Sequence, residues 1–136
     1  MSTQKQFTLG ATERLKSRKL IERLFKEGKS FSVSPFRVLY LFLEENSSCL
    51  QAGFSASSRN FKKATARNRI KRLTKEAYRL QKNDLSATLE KNSKRLIIFF
   101  IYTGKEVPDY KTAEEKMALA LQKLITFTHE NHSAHT

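Results

Sequence analysis

Residues Arg59–Lys82 read RNFKKATARNRIKRLTKEAYRLQK, ten Lys and Arg against a single acid, Glu76. Wound as an α-helix at about 100° per residue, the segment brings Ala66, Ile70, Leu73, Ala77 and Leu80 onto one stripe. Arg67, Lys71, Arg72, Lys75, Arg79 and Lys82 then lie across the opposite arc. One face is suited to dock on a core and the other to meet a polyanion. A merely solvated helix intersperses both signs, because i,i+4 pairs contribute about 0.2–0.5 kcal/mol each. Like charges crowded together instead carry a cost that neighbouring phosphates would remove.

On the N-terminal side, Ser17 is placed to cap a helix with Leu20, Ile21, Leu24 and Phe25 at helical spacing, stopping at Gly28. Lys29 to Val33 alternates weakly, as a short edge strand would before Pro35, and FRVLYLFL from Phe36 to Leu43 is β-branched and aromatic enough for a firm strand. Its residues Phe36, Val38, Tyr40 and Phe42 share one face. The segment EENSS turns the chain. Cys49 to Ser57 returns with Leu50, Ala52, Phe54 and Ala56 on one side, and the two strands are expected to pair as an antiparallel hairpin.

On the C-terminal side, RLIIFFIY from Arg95 to Tyr102 is apolar without alternation, which predicts a strand inside the sheet and covered on both faces. A loop around Pro108 leads to Thr112, which with Glu115 forms a capping box opening a helix that carries Met117, Leu121, Leu124 and Phe127 or Thr128. The order α-β-β-β-α-β-α predicts an α+β fold, a two-layer α/β sandwich whose connectivity periodicity alone does not fix. Residues 1–136 read as one domain, with a core from about 7 to 127 and flexible ends.

The composition excludes several classes. With 136 residues, 39% of them hydrophobic and ten of them Phe, one core can be filled. A lone Cys49 supports neither a disulfide framework nor a cysteine zinc site, and a reducing cytoplasm fits best. The longest apolar run, Leu96–Tyr102, is far short of the roughly 20 residues that span a bilayer, and no secretory signal is visible. A net charge of +13 calls for an acidic partner, nucleic acid first; the basic helix has no spare apolar residues for an anionic membrane. His129, His132 and His135 in HENHSAH do not form HExxH, since Ser133 stands where the second His belongs, and a frayed polar terminus is expected there. Gly104-Lys105 lacks the rest of a phosphate-binding loop. Protein-based RNA cleavage would want a histidine paired with another general acid or base, and the only histidines lie in that tail, so the chain alone is not expected to cleave RNA.

The run FKKATARNRIKRLTKEAYR, and above all Arg67-Asn68-Arg69-Ile70-Lys71-Arg72, resembles the signature of the protein subunits of bacterial ribonuclease P. An N-terminal FTL, a helix ending LFKEG, VLY in a strand and GFSAS before the motif agree in order and spacing over roughly residues 7 to 127. The resemblance implies a small basic protein that binds a large catalytic RNA, the RNA performing the chemistry with Mg2+ and no organic cofactor. Together they remove the 5′ leader of precursor tRNA. It nominates Arg59, Lys62, Lys63, Arg67, Asn68, Arg69, Lys71, Arg72, Lys75 and Arg79 for RNA contact. A cleft for the single-stranded leader would draw on Ile21, Phe25, Phe36, Tyr40 and Ser55 beside Lys71 and Lys75. A left-handed βαβ crossover around the basic helix is also implied. Two departures are visible: Ser57-Ser58-Arg59 where patterns like SVSKK are common, and Ile21 where many relatives carry Phe.

The residues by themselves leave Phe25, Phe36 and Tyr40 undivided between core and cleft, although a ring beside Lys or Arg is how single strands are held without sequence readout. Asn68 can donate to or accept from ribose or phosphate. A helix-turn-helix DNA reader is disfavoured, because strands flank the basic helix where a companion helix is needed. A ribosomal or RNA-chaperone protein would share the charge but has no call for an aromatic cleft. The oligomeric state is open.

Overall fold

The computed structural model describes residues 13–43 and 49–134. The FTL motif and the EENSS turn lie outside the described residues. Eight elements follow in order: α1 (Arg18–Glu27), β1 (Lys29–Val33), β2 (Phe36–Leu43), β3 (Cys49–Ala56), α2 (Ala64–Gln81), α3 (Asn83–Lys91), β4 (Arg95–Tyr102) and α4 (Tyr110–Ala134).

The strands form one sheet in the order β1-β2-β4-β3. β1 and β2 are an antiparallel hairpin across Ser34-Pro35, with Phe31 opposite Val38. β2 and β3 are not partners, contrary to the hairpin expected from their adjacency. β4 separates them, antiparallel to β2 with Phe36 opposite Tyr102, and parallel to β3 with Gly53 opposite Phe99. The physical reason lies in composition: alternating strands bury one face well, whereas β4 is apolar at nearly every position and loses most by lying at an edge. The parallel pair β3 and β4 is joined through α2 and α3, a βαβ unit.

Even-numbered positions of β2 and β4 face α2, α3 and α4, building a core around Phe36, Val38, Ile98, Phe100, Ile70, Tyr78, Leu85, Leu89, Met117 and Leu124. Odd-numbered positions face α1, where Leu24 and Leu15 meet Leu39, Leu43 and Ile97 in a second, smaller cluster. The sheet and three helices make the expected two layers, and α1 lies alone on the far side. One short helix leaves much of that face half-exposed.

Local chemistry explains the elements and corrects several expectations. Ser17 caps α1 by accepting from the Leu20 amide. Gly28 ends it with an ordinary negative φ of −72°; glycine is required by crowding, since a Cβ would sit 2.8 Å from Leu24 Cδ1 and 3.0 Å from the Tyr40 carbonyl. The buried stripe of α2 is Ile70, Thr74, Ala77 and Tyr78 rather than the line through Leu73 and Leu80, and Leu80 is exposed. Thr74 is tolerated there because its hydroxyl donates to the Ile70 carbonyl at 2.8 Å. The separate helix α3 is an addition to the predicted order, held by Leu85 and Leu89 one turn apart. Asp109, not Thr112, caps α4: its carboxylate accepts from the Thr112 amide at 3.1 Å. α4 continues to Ala134, through residues expected to fray.

The segment before α1 straps the free edge of β3. Leu15 donates its amide to the Ala52 carbonyl at 2.9 Å, and Arg14 pairs with Ala52 in parallel. Glu13 is ion-paired to Lys82, which is buried at the end of α2 and therefore absent from the cationic arc.

Candidate nucleic-acid interface

The basic surface begins in the turn after β3. Arg59, Lys62 and Lys63 are exposed there, directly ahead of α2, whose first turn carries no acid. Along the helix Asn68, Arg69, Arg72 and Lys75 are exposed and Lys71 is half-buried. Besides Lys82, two residues of the predicted arc are engaged within the protein. Arg67 donates through Nη1 to the carbonyls of Phe61 at 2.6 Å and Lys62 at 2.9 Å, tying down the loop that presents Lys62 and Lys63. Arg79 grips Glu76, with Nη2 to Oε2 at 2.6 Å and Nε to Oε1 at 3.2 Å. That hydrogen bond holds the Glu76 carboxyl below its usual range. Arg79 thus spends its charge locally, and the free cations concentrate toward the N-terminal half of α2.

A cleft opens on the half-covered face of the sheet. Phe25 of α1 is 53% exposed and meets Phe99 of β4 edge-to-face, with centroids 5.5 Å apart at 63°. Ile21 is half-buried in the same α1 cluster, and Ser55 lies on the same parity of β3 as Gly53. Gly53 permits the arrangement, because a Cβ there would lie 2.7 Å from two Phe99 ring carbons. At the β3 edge, Arg14, Leu15, Ala52, Gly53, Phe54, Lys71 and Lys75 line a concavity of about 240 Å³. Three cations line it and no acid does. Gly53 is common to the aromatic pair and the concavity; rings that take bases and ammonium or guanidinium groups that take phosphates are the means by which an unpaired strand is held.

The structure divides the residues nominated for the cleft. Ile21, Phe25 and Ser55 belong to the α1 face of the sheet, whereas Lys71 and Lys75 line the concavity at the β3 edge; Phe36 and Tyr40 join neither group. Phe36 is 1% exposed and packs edge-on against Tyr102 in the main core. Tyr40 stacks on Phe127 at 5.2 Å on the α4 side, and burial pushes its hydroxyl pKa up. Strand alternation sets this outcome, since even positions of β2 point away from α1. Sequence reasoning missed Phe99, Gly53 and Arg14. Phe99 was legible only as part of an unbroken apolar run, and the other two depend on sheet register.

Other sites add little. His129 is exposed on α4, and among the described residues no three His, Cys, Asp or Glu gather as metal ligands would. No helix among them is long and apolar enough to cross a membrane.

Comparison with known proteins accounts for both the motif and the fold. The sequence model of the family described as Ribonuclease P matches residues 9–125. The ribonuclease P protein component of Porphyromonas gingivalis is 36% identical over 125 residues, covering 91% of each chain. That of Chlorobium phaeobacteroides is 28% identical, covering 82% of this chain and 84% of its own. Among solved structures, the ribonuclease P protein from Thermotoga maritima superposes with a TM-score of 0.63 at 30% identity, over 82% of this chain and 96% of its own. The Staphylococcus aureus protein, at 20% identity and a TM-score of 0.59 over 83% of this chain and 97% of its own, shares the fold. Matched in sequence from its N-terminal strap into α4, and in fold through the sheet that carries the cleft, the chain belongs to the ribonuclease P protein family.

Proposed function

We propose that the chain is the protein subunit of a ribonuclease P ribonucleoprotein that matures the 5′ end of tRNA, binding the catalytic RNA and the unpaired leader of precursor tRNA through different surfaces. The catalytic RNA is met by Arg59, Lys62, Lys63, Asn68, Arg69 and Arg72, with Arg67 shaping the loop and Arg79 at the margin. The leader lies in the cleft of Ile21, Phe25, Ser55, Phe99, Lys71 and Lys75. The observation that carries this reading is Phe25: an aromatic ring left 53% exposed against Phe99, whose strand neighbour Gly53 lines a concavity together with Arg14, Lys71 and Lys75. Bond cleavage is assigned to the RNA, as the family resemblance implies. The Mg2+ that the family resemblance implies is assigned to the RNA subunit. The protein's cations lower the demand for screening ions around the assembled RNA.

The test is leader removal with purified components in the cytoplasmic range of salt. Protein without RNA is expected to leave precursor tRNA intact, and its addition to catalytic RNA to shift the magnesium requirement downward. Cleavage by RNA-free protein that disappears on mutating a protein residue would refute the assignment.

A further inference from the structure

We infer that Arg14 is a third phosphate-binding residue of the cleft, acting with Lys71 and Lys75, and that the Glu13–Lys82 ion pair is the device that positions it. The inference rests on the leader-binding reading above. Three features of the fold support it. Arg14 lines the same concavity as Lys71 and Lys75, with apolar walls from Leu15 and Phe54 and no acid among the lining residues. Three cations around one small, partly apolar hollow repel each other at reduced dielectric, a cost removed by an anion bound between them. A guanidinium is suited to that role because its planar fork meets two phosphate oxygens at once.

The backbone of Arg14 is also fixed on either side. Residue 14 pairs with Ala52 at the β3 edge, and Leu15 donates to the Ala52 carbonyl at 2.9 Å. The preceding residue, Glu13, is clamped to Lys82, which is 5% exposed at the end of the helix that carries Lys71 and Lys75. A buried ion pair is weak evidence of stabilisation but good evidence of registry, since each partner needs the other in one place. Here the registry joins the strap to α2, so the cations from the two elements converge. A guanidinium that served only solubility would need no such anchoring.

The experiment uses the assembled ribonucleoprotein and measures affinity for precursor tRNA and for leaderless tRNA between 0.1 and 0.4 M salt. Arg14→Ala should weaken precursor binding several-fold and lower the log–log salt slope by about 0.7, the single-strand value for one phosphate, so that its deficit shrinks about 2.6-fold over that range. Leaderless tRNA, catalytic RNA affinity and thermal melting should not move. Arg14→Lys should restore the slope, and Lys82→Met should reproduce part of the precursor defect although residue 82 lines none of the cleft. Lys71→Ala is the reference. If Lys71→Ala lowers the precursor slope and Arg14→Ala does not, Arg14 is a solvated residue and the inference is overturned while leader binding stands. If neither changes it, the leader-binding reading falls as well. If Arg14→Ala weakens catalytic RNA and both tRNA forms alike, Arg14 contacts the RNA subunit, which also overturns the inference.

Discussion

Replacing Phe25 by Ala separates the cleft from the core in a single comparison with Tyr40. Phe25 is 53% exposed, so Phe25→Ala forfeits about half of the 1.5–3 kcal/mol that full burial of such a side chain is worth, near 1 kcal/mol. Loss of the edge-to-face contact with Phe99 adds about 0.5–1.5 kcal/mol. A domain with the usual 5–15 kcal/mol of stability stays folded through such a change. If one leader base stacks on the ring, precursor affinity falls by about 1–3 kcal/mol, roughly 5- to 150-fold, whereas leaderless tRNA is unaffected. Tyr40→Ala should behave oppositely. It removes a ring 9% exposed, packed between Phe31 and Phe127, at a cost of about 3–5 kcal/mol in stability, and leaves the precursor-to-leaderless ratio of the folded fraction unchanged. The assay is the ratio of the two affinities on the assembled ribonucleoprotein, with melting followed by circular dichroism. An unchanged ratio for Phe25→Ala, or a collapsed ratio for Tyr40→Ala with native melting, would show that the strand lies on the other face of the sheet.

Arg67 and Arg69 should part company despite sharing one motif. Arg69→Ala keeps stability and lowers the salt slope for catalytic RNA by about 0.7–0.9, whereas Arg67→Ala frees two carbonyls of the preceding loop and also lowers the melting temperature, by an amount read from the same circular dichroism scans. The α4 cap sets an acid-range dependence. The Thr112 side chain and then its amide hold the Asp109 carboxyl below its ordinary 3.8, so its contribution is complete above that pH and fades as pH falls through the lower folded value. The melting gap between wild type and Asp109→Ala should therefore be constant from neutrality down to about pH 5 and close below the ordinary carboxylate value. A gap that widens in acid would mean that the hydrogen bond does not favour the ionised form.

Much of this architecture was legible because local patterns reported on local physics. Ser17 and Gly28 bracket α1, alternation sorts Phe36, Val38 and Tyr40 onto one face of β2, and the unbroken run of β4 announces a central strand. What stayed hidden was pairwise. Alternation states that Tyr40 and Leu39 face opposite ways but not which of them meets α1, and the answer decides whether Tyr40 is ligand contact or core. Likewise Lys82 and Arg79 looked like members of one cationic arc, because helical periodicity contains no information about Glu13, sixty-nine residues away, or about which charges Glu76 consumes. Arg14 could be found only after Ala52 had been placed beside it.

The position of β4 sets the order in which the protein can be made. β2 and β3 are synthesised before Arg95–Tyr102, yet they share no hydrogen-bonded ladder: β2 has only β1, and β3 has no partner strand until the strand between them arrives. The nascent chain therefore exposes two aromatic strands together with a finished cationic helix while its sheet is still missing its middle. Long-range parallel pairing of this kind is slow to form and vulnerable to aggregation while it waits. A chain stopped before Tyr102 is therefore expected to remain unfolded rather than form a stable half.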